Sequence, residues 1–388
     1  MVDVTTSLAG PYCTELLGAL GADVIKIEPP ATGDEARTWG PPFWNGESTL
    51  FLSANASKRS LALDLRRGRD VLLRLAERAD VFVQSLRPGL AEERGLGAGE
   101  LRGRNPRLVY CSIRSFGRTG PWAMRPGYDP LAQAAGGIVS VTGEPGRPGV
   151  RAGVSIIDQG TGLWAAFAIL AALRERERTG EGREVDVSLY ETAIGYLAYH
   201  ITGYLGSGAV PSGEGTAFPS IAPYQAFQTR DGRLMVAAGN DRLFAALAEA
   251  VGLTELAADG RFATNADRVA NREALAELLE ERFQAEDRAT WLERLERAGV
   301  PAAPVQDVAE VAAAEQTQAL GILQPLPHPA VPGLVTPALP VSVDGERILH
   351  RSPPPELGAH SAEVLAEVGY SDEEIAELAA AGIVRLSA

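Results

Sequence analysis

The strongest pattern of apolar and polar positions lies in the middle of the chain. Residues 163–173 are apolar on every face, which is typical of a helix enclosed inside a protein rather than one lying along its surface. The pattern predicts that this helix begins just after Asp158 and ends before Gly180, with arginines in its last turn, where the helix dipole favours cations. Residues 184–189 then alternate apolar and polar and predict a strand. We expect this helix to anchor the fold.

The first part of the chain predicts a β-α-β unit. Residues 2–29 contain a short strand, a helix ending near Gly21 and a second strand. With a later apolar strand at residues 81–83, this order indicates a parallel sheet. A dinucleotide fingerprint would need a glycine where Tyr12 stands, so we discount a nicotinamide cofactor.

The rest of the chain predicts two domains joined by two linkers. Further strands are predicted at residues 61–65 and 108–116, and a second apolar helix follows the anchor. A hairpin turning at Asp231-Gly232 and three amphipathic helices indicate a small α+β domain. The predicted boundaries are 1–205 for the first part of the large domain, 206–220 for a Gly/Ser/Pro-rich linker, 221–321 for the small domain, 322–342 for a proline-rich linker and 343–388 for a C-terminal part that returns to the large domain.

Composition fits this two-domain plan. The chain has 388 residues, of which 45% are hydrophobic, so a sizeable core can form. We expect no apolar run long enough to cross a bilayer, no secretory signal and a cytoplasmic location. Cys13 and Cys111 are too few for a disulfide framework or a thiolate metal site, and neither a metal nor a prosthetic group is expected.

Charge narrows the class of partner. A net charge of −14 argues against nucleic-acid binding, which needs a basic face. Nearly all positive charge is arginine, since only Lys26 and Lys58 are lysines. Arginine binds phosphate in a bidentate manner, so a small polyanionic ligand remains compatible with this chain.

Asp158 has two interpretations on the residues alone. As a helix N-cap, its carboxylate would accept a backbone N–H and stabilise the helix by about 1 kcal/mol. Alternatively, an ionised carboxylate at a helix N-terminus in a partly dry cleft can attack an activated acyl group. The helix pattern does not separate the two.

Seven segments together resemble a known family. They are LAGPYCTELLGALGADVIKIE, NASKRSLALDL, GYDPLAQAAGG, IDQGTGLWAAFAILAALRERERTGEGREVDVSLYE, APYQAFQTRDG, GVPAAPV and LGAHSAEVLAEVG. In this order they resemble the class III CoA-transferases, the group of formyl-CoA transferase and carnitine CoA-transferase, which also contains the α-methylacyl-CoA racemases. The resemblance runs essentially the full length of the chain.

The resemblance implies a fold and partners. The expected fold is α/β, with a Rossmann-like parallel-sheet large domain built from both chain ends, a small α+β domain, and two chains interlocked as an obligate homodimer. The implied substrates are an acyl-CoA and a small carboxylic acid, with coenzyme A as a substrate rather than a prosthetic group. Neither a nucleic acid nor a membrane is implied.

The resemblance also implies a mechanism and a set of site residues. Asp158 is expected to form first an anhydride with the acyl group and then a thioester with CoA. The positions that match family CoA contacts are Leu8, Ala9, Leu63, Asp64, Leu65, Arg66, Ser85, Leu86, Arg87, Arg94, Gly127, Tyr128 and Asp129. The chain departs from the family pattern where Leu8 replaces a glutamine, where Pro29 replaces an arginine, and where the family arginine falls on Glu93, one place before Arg94.

Two alternatives stay beside CoA transfer. Racemases carry a histidine where Tyr128 stands and a glutamate where Asn240 stands, because moving a proton at the α-carbon needs two bases. Neither residue here can serve as such a base near neutral pH, so transfer is favoured. A non-catalytic CoA-binding protein is the other alternative. The formyl-CoA enzymes' glycine-rich loop is reduced to Gly239, which favours a larger dicarboxylate or branched acid over formate and oxalate.

Overall fold

The computed structural model describes residues 1–387 and divides into two compact units. The first contains residues 1–138, 151–206 and the stretch from Gln316 onward, and the second contains residues 139–150 and 207–315. Each unit has its own hydrophobic core. Residues 139–150 belong to the second unit here, whereas the sequence analysis placed them in the large domain.

A seven-stranded sheet organises the first unit. Its strands are β1 (Val2–Val4), β2 (Val24–Glu28), β3 (Lys58–Leu63), β4 (Val81–Gln84), β5 (Val109–Arg114), β6 (Glu184–Ser188) and a closing strand, Val384–Arg385. Their order is closing strand–β3–β2–β1–β4–β5–β6. All neighbours are parallel except the closing strand, which pairs antiparallel to β3. The α/β class with a parallel sheet is confirmed.

The first unit also contains helices. They are α1 (Ala9–Ala19), α2 (Arg69–Arg78), α3 (Asp129–Ala135), α4 (Ile156–Thr179), α5 (Leu189–Tyr196) and α6 (Ala198–Ser207), with shorter helices at Thr49–Leu52, Leu90–Glu93 and Ala98–Arg104 and two C-terminal helices, Ser361–Glu367 and Asp372–Ala380. The two C-terminal helices lie in the first unit, to which residues 343–388 were predicted to return. The predicted apolar helix after β6 is broken into α5 and α6.

The anchor helix α4 is only partly enclosed. It ends at Gly180 in the left-handed conformation, with φ +79°, as predicted. Its buried side carries Ile157, Ala165 and Ile169, but the prediction that it is enclosed on every face was wrong. Leu163, Trp164, Phe167 and Leu170 are 45–67% exposed. An apolar sequence shows which side chains avoid water, but it does not show which surface covers them.

Helix α4 also overturns the expectation about membrane spans. Among residues 1–387 it is the one helix long and apolar enough to cross a membrane by length and composition. The sequence analysis expected no such run. The same test is passed by core helices of water-soluble proteins, and the buried side of α4 packs in the core of the first unit.

Close contact between α1 and α4 depends on glycine. A Cβ atom on Gly162 of α4 would lie 2.6 Å from the Ala9 carbonyl oxygen, and a Cβ on Gly10 would lie 2.3 Å from the Thr5 Cβ. Neither position has room for a side chain. The N-terminal parts of the two helices therefore approach more closely than larger residues would permit.

The second unit is a small α+β structure. Strands β7 (Tyr224–Gln228), β8 (Arg233–Ala237) and β9 (Ala302–Pro304) form an antiparallel sheet, and helices α7 (Asp241–Ala250), α8 (Arg272–Phe283) and α9 (Arg288–Arg297) accompany it. The predicted hairpin and three helices are confirmed. Strand β9 was missed because the prolines that flank and end it mask any strand pattern.

Candidate active site

The sheet topology creates a crevice in the first unit. Strand β1 lies between β2 and β4, so the connections leave β1 and β4 in opposite directions at their carboxyl ends. A cavity of about 930 Å³ opens at this point. Thr6 and Ser7 line it after β1, and residues 85–87 line it after β4. The topology therefore places a candidate site where no glycine-rich fingerprint exists.

Asp158 lies on the wall of this cavity. It is the third residue of α4, and the N-cap position belongs to Ser155, whose side chain makes no capping hydrogen bond. The prediction that the helix begins after Asp158 was therefore wrong by three residues, and Asp158 is not its cap. Burial raises the pKa of the Asp158 carboxyl to about 7, and the charge of Asp129 adds to the rise. The carboxylate is poised between its two protonation states near neutral pH.

Asp129 performs the capping from the neighbouring helix α3. It is 2% exposed, and its Oδ2 atom accepts the backbone N–H groups of Ile157 at 2.9 Å and Asp158 at 3.2 Å. Its Oδ1 atom accepts a hydrogen bond from Gln133 Nε2 at 2.6 Å. Both oxygens are thus engaged within the protein, and Asp129 does not line the cavity.

Most of the expected CoA contacts fall on two adjoining cavities. Ala9, Ser85, Leu86, Arg87, Gly127 and Tyr128 line the same cavity as Asp158. A second cavity of about 700 Å³ is lined by Leu65, Arg66 and Arg94, together with Arg69 and Glu93. Leu90 lines both cavities. The arrangement suits a long ligand with one reactive end and one anionic end.

Besides Asp129, three expected contacts lie elsewhere. Leu63 is fully buried in the core, so its side chain cannot reach a ligand. Asp64 accepts the N–H groups of Arg66 and Arg67 at 2.8 and 3.2 Å and shapes the turn that presents Arg66. Leu8 is 8% exposed and lines a different cavity, of about 710 Å³. The side chains of Leu63 and Asp64 have structural roles.

Sequence reasoning missed the residues that shape the wall opposite Asp158. Ser7 has a φ of +70°, and its N–H donates to Asp34 at 3.0 Å. Asp34 in turn pairs with Lys26 at 2.8 Å, and both side chains are fully buried. Glu35 lines the cavity and accepts hydrogen bonds from the hydroxyls of Ser7 and, at 3.4 Å, Tyr128. The available signal was Lys26, a charged residue between the apolar Ile25 and Ile27 of strand β2.

The two residues that would distinguish a racemase are unsuited to proton transfer. Glu35 raises the pKa of the Tyr128 phenol above its ordinary value, which moves it further from a neutral-pH base. Asn240 is the N-cap of α7, where its side chain accepts the Leu243 N–H at 2.9 Å. Among residues 1–387 no cluster of three or more His, Cys, Asp or Glu side chains could hold a metal ion.

Comparisons with known proteins agree with this geometry. The sequence model of CoA-transferase family III matches residues 1–361. Human succinyl-CoA:glutarate CoA-transferase is 40% identical over 387 residues, covering 99% of this chain and 88% of the relative. Acetyl-CoA:oxalate CoA-transferase of Acetobacter aceti is 39% identical over 357 residues, covering 91% of this chain and 90% of the relative. The crystal structure of a CaiB/BaiF family protein from Brucella suis superimposes with a TM-score of 0.85 at 42% identity, covering 95% of this chain and 97% of that one. The chain belongs to CoA-transferase family III.

Proposed function

We propose that the chain moves CoA from an acyl-CoA donor to a carboxylic acid acceptor through covalent intermediates on Asp158. The observation that carries the proposal is the position of Asp158, on the wall of the cavity at the carboxyl end of the sheet and in the first turn of α4. With its pKa near 7, a carboxylate held there is partly ionised at neutral pH, and its anion can attack a thioester.

The proposed reaction has two symmetrical halves. The Asp158 carboxylate attacks the thioester carbon, the C–S bond breaks, and an aspartyl-acyl anhydride and CoA thiolate result. The thiolate then attacks the aspartyl carbonyl, which releases the donor acid and leaves an aspartyl-CoA thioester. The acceptor acid repeats these steps in reverse order and leaves as the new acyl-CoA. Each step is acyl transfer between positioned groups, so proximity contributes most of the rate.

Each acyl transfer also develops negative charge on a carbonyl oxygen. The family glutamine at the start of α1 is replaced by Leu8, so that side chain cannot donate here. We assign the task to the backbone N–H groups of Ala9 and Gly10, which lie in the first turn of α1 and line the cavity. Such N–H groups have no partner within their own helix and stabilise anions.

The phosphate end of CoA is assigned to the second cavity. Arg66, Arg69 and Arg94 line it, and guanidinium groups bind phosphate oxygens in pairs. The pantetheine part of CoA would run from the second cavity to the first along Leu90 and Arg87, and would reach Asp158 from this side. Glu93 stands where the family has an arginine and weakens this anion site.

The acids and the assembly are also proposals. Relatives are named for succinyl-CoA, glutarate, mesaconate and oxalate. We propose a dicarboxylate larger than oxalate, because the glycine-rich loop of the formyl-CoA enzymes is reduced here to Gly239. We further propose an interlocked homodimer, because the exposed apolar face of α4 needs a cover. Cys13 and Cys111 are free thiols, in keeping with a cytoplasmic enzyme.

An exchange assay tests the proposed reaction. The full chain is incubated with succinyl-CoA and labelled carboxylic acids, and label entering the CoA thioester pool is followed with time. Quenched samples are digested and searched by mass spectrometry for a CoA adduct on Asp158. Exchange together with this adduct is the expected result. Loss of an α-hydrogen label without exchange would support racemisation, and an inert protein that still binds CoA would support a binding role.

A further inference from the structure

Asp129 and Gln133 form a small buried network at the entrance to α4. The two residues lie one turn apart on α3, are 2% and 0% exposed, and are joined by a hydrogen bond of 2.6 Å. Gln133 Oε1 accepts the N–H of Ala152 at 2.8 Å, and Asp129 Oδ2 accepts the N–H groups of Ile157 and Asp158. Two side chains of α3 thus hold three backbone N–H groups of residues 152–158.

We propose that Asp129 is the positioning residue for the Asp158 nucleophile, holding the first turn of α4 from α3 and fixing the segment before it through Gln133. The proposal rests on the proposed function of Asp158. A side chain at N3 of a helix points where its backbone places it, so a hydrogen bond to its own N–H sets its aim. Ser155, the N-cap of α4, contributes no such bond.

The same contact brings a second negative charge to the nucleophile. The Asp129 carboxylate and burial are the two causes that raise the pKa of the Asp158 carboxyl. Other titratable groups surround α4: Glu35, Arg87 and Arg114 on the cavity wall, Tyr12 and Glu15 on α1, and Glu191 and Tyr196 on α5. Asp129 differs from these groups because it binds the Asp158 backbone directly.

The two roles of Asp129 can be separated by substitution. Asp129→Ala removes both the hydrogen bonds and the charge. Asp129→Asn keeps an acceptor for the two N–H groups, but its amide would face the Gln133 amide donor. Adding Gln133→Glu restores an acceptor there and still accepts the Ala152 N–H. The double variant therefore loses only the 3.5 Å hydrogen bond from Gln133 Nε2 to the Val154 carbonyl and moves the charge away from Asp158.

The experiment measures kcat and KM of exchange across pH for the full-length variants, with a thermal melt to confirm folding. Asp129→Ala is expected to lower kcat by about 10- to 100-fold, because small misplacement of a reacting group has effects of this size. KM for acyl-CoA should change little, since Asp129 does not line the cavity. The double variant should recover most of kcat. The acidic side of its kcat–pH profile should lie at lower pH than in the unmodified enzyme. Glu177→Gln, an exposed change at the far end of α4, is the control and should change neither kcat nor the pH profile.

Two results would overturn the proposal. One is a wild-type kcat in folded Asp129→Ala, and the other is a double variant in which the acidic side of the kcat–pH profile does not move. If Asp129→Ala does not fold, the comparison of kcat in Asp129→Asn and in the double variant decides, because equal values would show that these contacts do not position Asp158. Failure of the proposed function is seen separately, because it would appear as full exchange activity in Asp158→Ala.

Discussion

The carboxylates of Asp129 and Asp158 both lie at the first turn of α4, but their surroundings differ. Asp129 accepts three hydrogen bonds, from the N–H groups of Ile157 and Asp158 and from Gln133 Nε2, so both of its oxygens are held by the protein. Asp158 has its charged form disfavoured by burial and by Asp129. A carboxylate without strong partners keeps more of its nucleophilicity, so this division of labour suits covalent catalysis at Asp158.

The raised pKa of Asp158 predicts a pH dependence of the rate. The attacking form is the anion, so kcat for exchange should rise with pH through about 7 and level off above it. Below this value the protonated carboxyl cannot attack. Steady-state kcat measured between about pH 5.5 and about pH 9 checks this. A kcat that stays constant across that range would contradict the assignment of Asp158 as the nucleophile.

The same pKa predicts a cost in stability. The pKa of Asp158 is higher in the folded chain than the ordinary 3.8, so the folded state loses stability as pH rises from about 4 to about 7. Asp158→Asn removes the ionisation and should raise stability above pH 7 by about 1 kcal/mol, or a few degrees in melting temperature. Melting curves of both proteins at pH 5 and pH 8 test this. A smaller gain at pH 5 is the required control, and a destabilised Asn variant at pH 8 would contradict the argument.

At the residue scale, the sequence indicated which residue is the candidate nucleophile, but it did not indicate which side chains contact one another. Asp158 could be singled out because its motif resembles the family. The capping role of Asp129 could not be predicted, because it joins positions 29 residues apart on two helices. Leu63 and Asp64 matched family positions in sequence, yet packing and a backbone turn occupy their side chains.

At the element scale, the site depends on how closely α1 approaches α4. The N–H groups of Ala9 and Gly10 and the carboxylate of Asp158 line one cavity, while Gly162 supports the helix contact from one turn further along α4. Any side chain at Gly162 would push against the Ala9 carbonyl. The relative position of Asp158 and the proposed oxyanion donors is therefore set by a residue that does not line the cavity.

Gly162→Ala should separate the two helix N-termini. Its Cβ would lie 2.6 Å from the Ala9 oxygen, which is backbone and cannot rotate away. We expect kcat to fall at least about 10-fold and the melting temperature to drop, as overpacking costs about 1–3 kcal/mol. Gly99→Ala is the matched control, because its Cβ meets nothing within 4 Å and helix propensity should make it neutral or slightly stabilising. Equal behaviour of the two variants would show that the close contact is unimportant.

The sequence predicted helices and strands correctly where the apolar pattern extends over enough residues to show a period. The strands and helices of the β-α-β opening, the α4 end at Gly180 and the hairpin of the second unit follow from local pattern. The closing strand Val384–Arg385 could not be found, because two residues carry no period and its partner β3 lies more than 300 residues earlier. Long-range pairing is decided by tertiary packing.

At the scale of the whole molecule, the lysine amino groups lie away from the surface. Lys26 and Lys58 are the two lysines of the chain, and the side chains of both are fully buried in contact with Asp34 and Asp3. We expect native protein treated with excess succinyl-CoA or an N-hydroxysuccinimide ester to gain no acyl group on either lysine, because neither Nζ atom is accessible. Peptide mapping by mass spectrometry checks this, with protein labelled in concentrated urea as the control that should react at both. An adduct on either lysine of the native protein would contradict the burial.

The exposed apolar face of α4 gives the last prediction. Leu163, Trp164, Phe167 and Leu170 recur at helical spacing, and Trp164 and Phe167 form an edge-to-face pair with ring centroids 6.3 Å apart. Large aromatic residues in such a patch are typical anchors of an interface, so a second copy of the chain should cover them. Light scattering should then give twice 41.0 kDa for the unmodified protein. Phe167→Glu places a charge in this face and should weaken the dimer or lower the melting temperature, whereas Arg174→Glu, at an exposed position on the same helix, should do neither. A stable 41.0-kDa monomer would leave the face without the proposed cover and would refute the dimer.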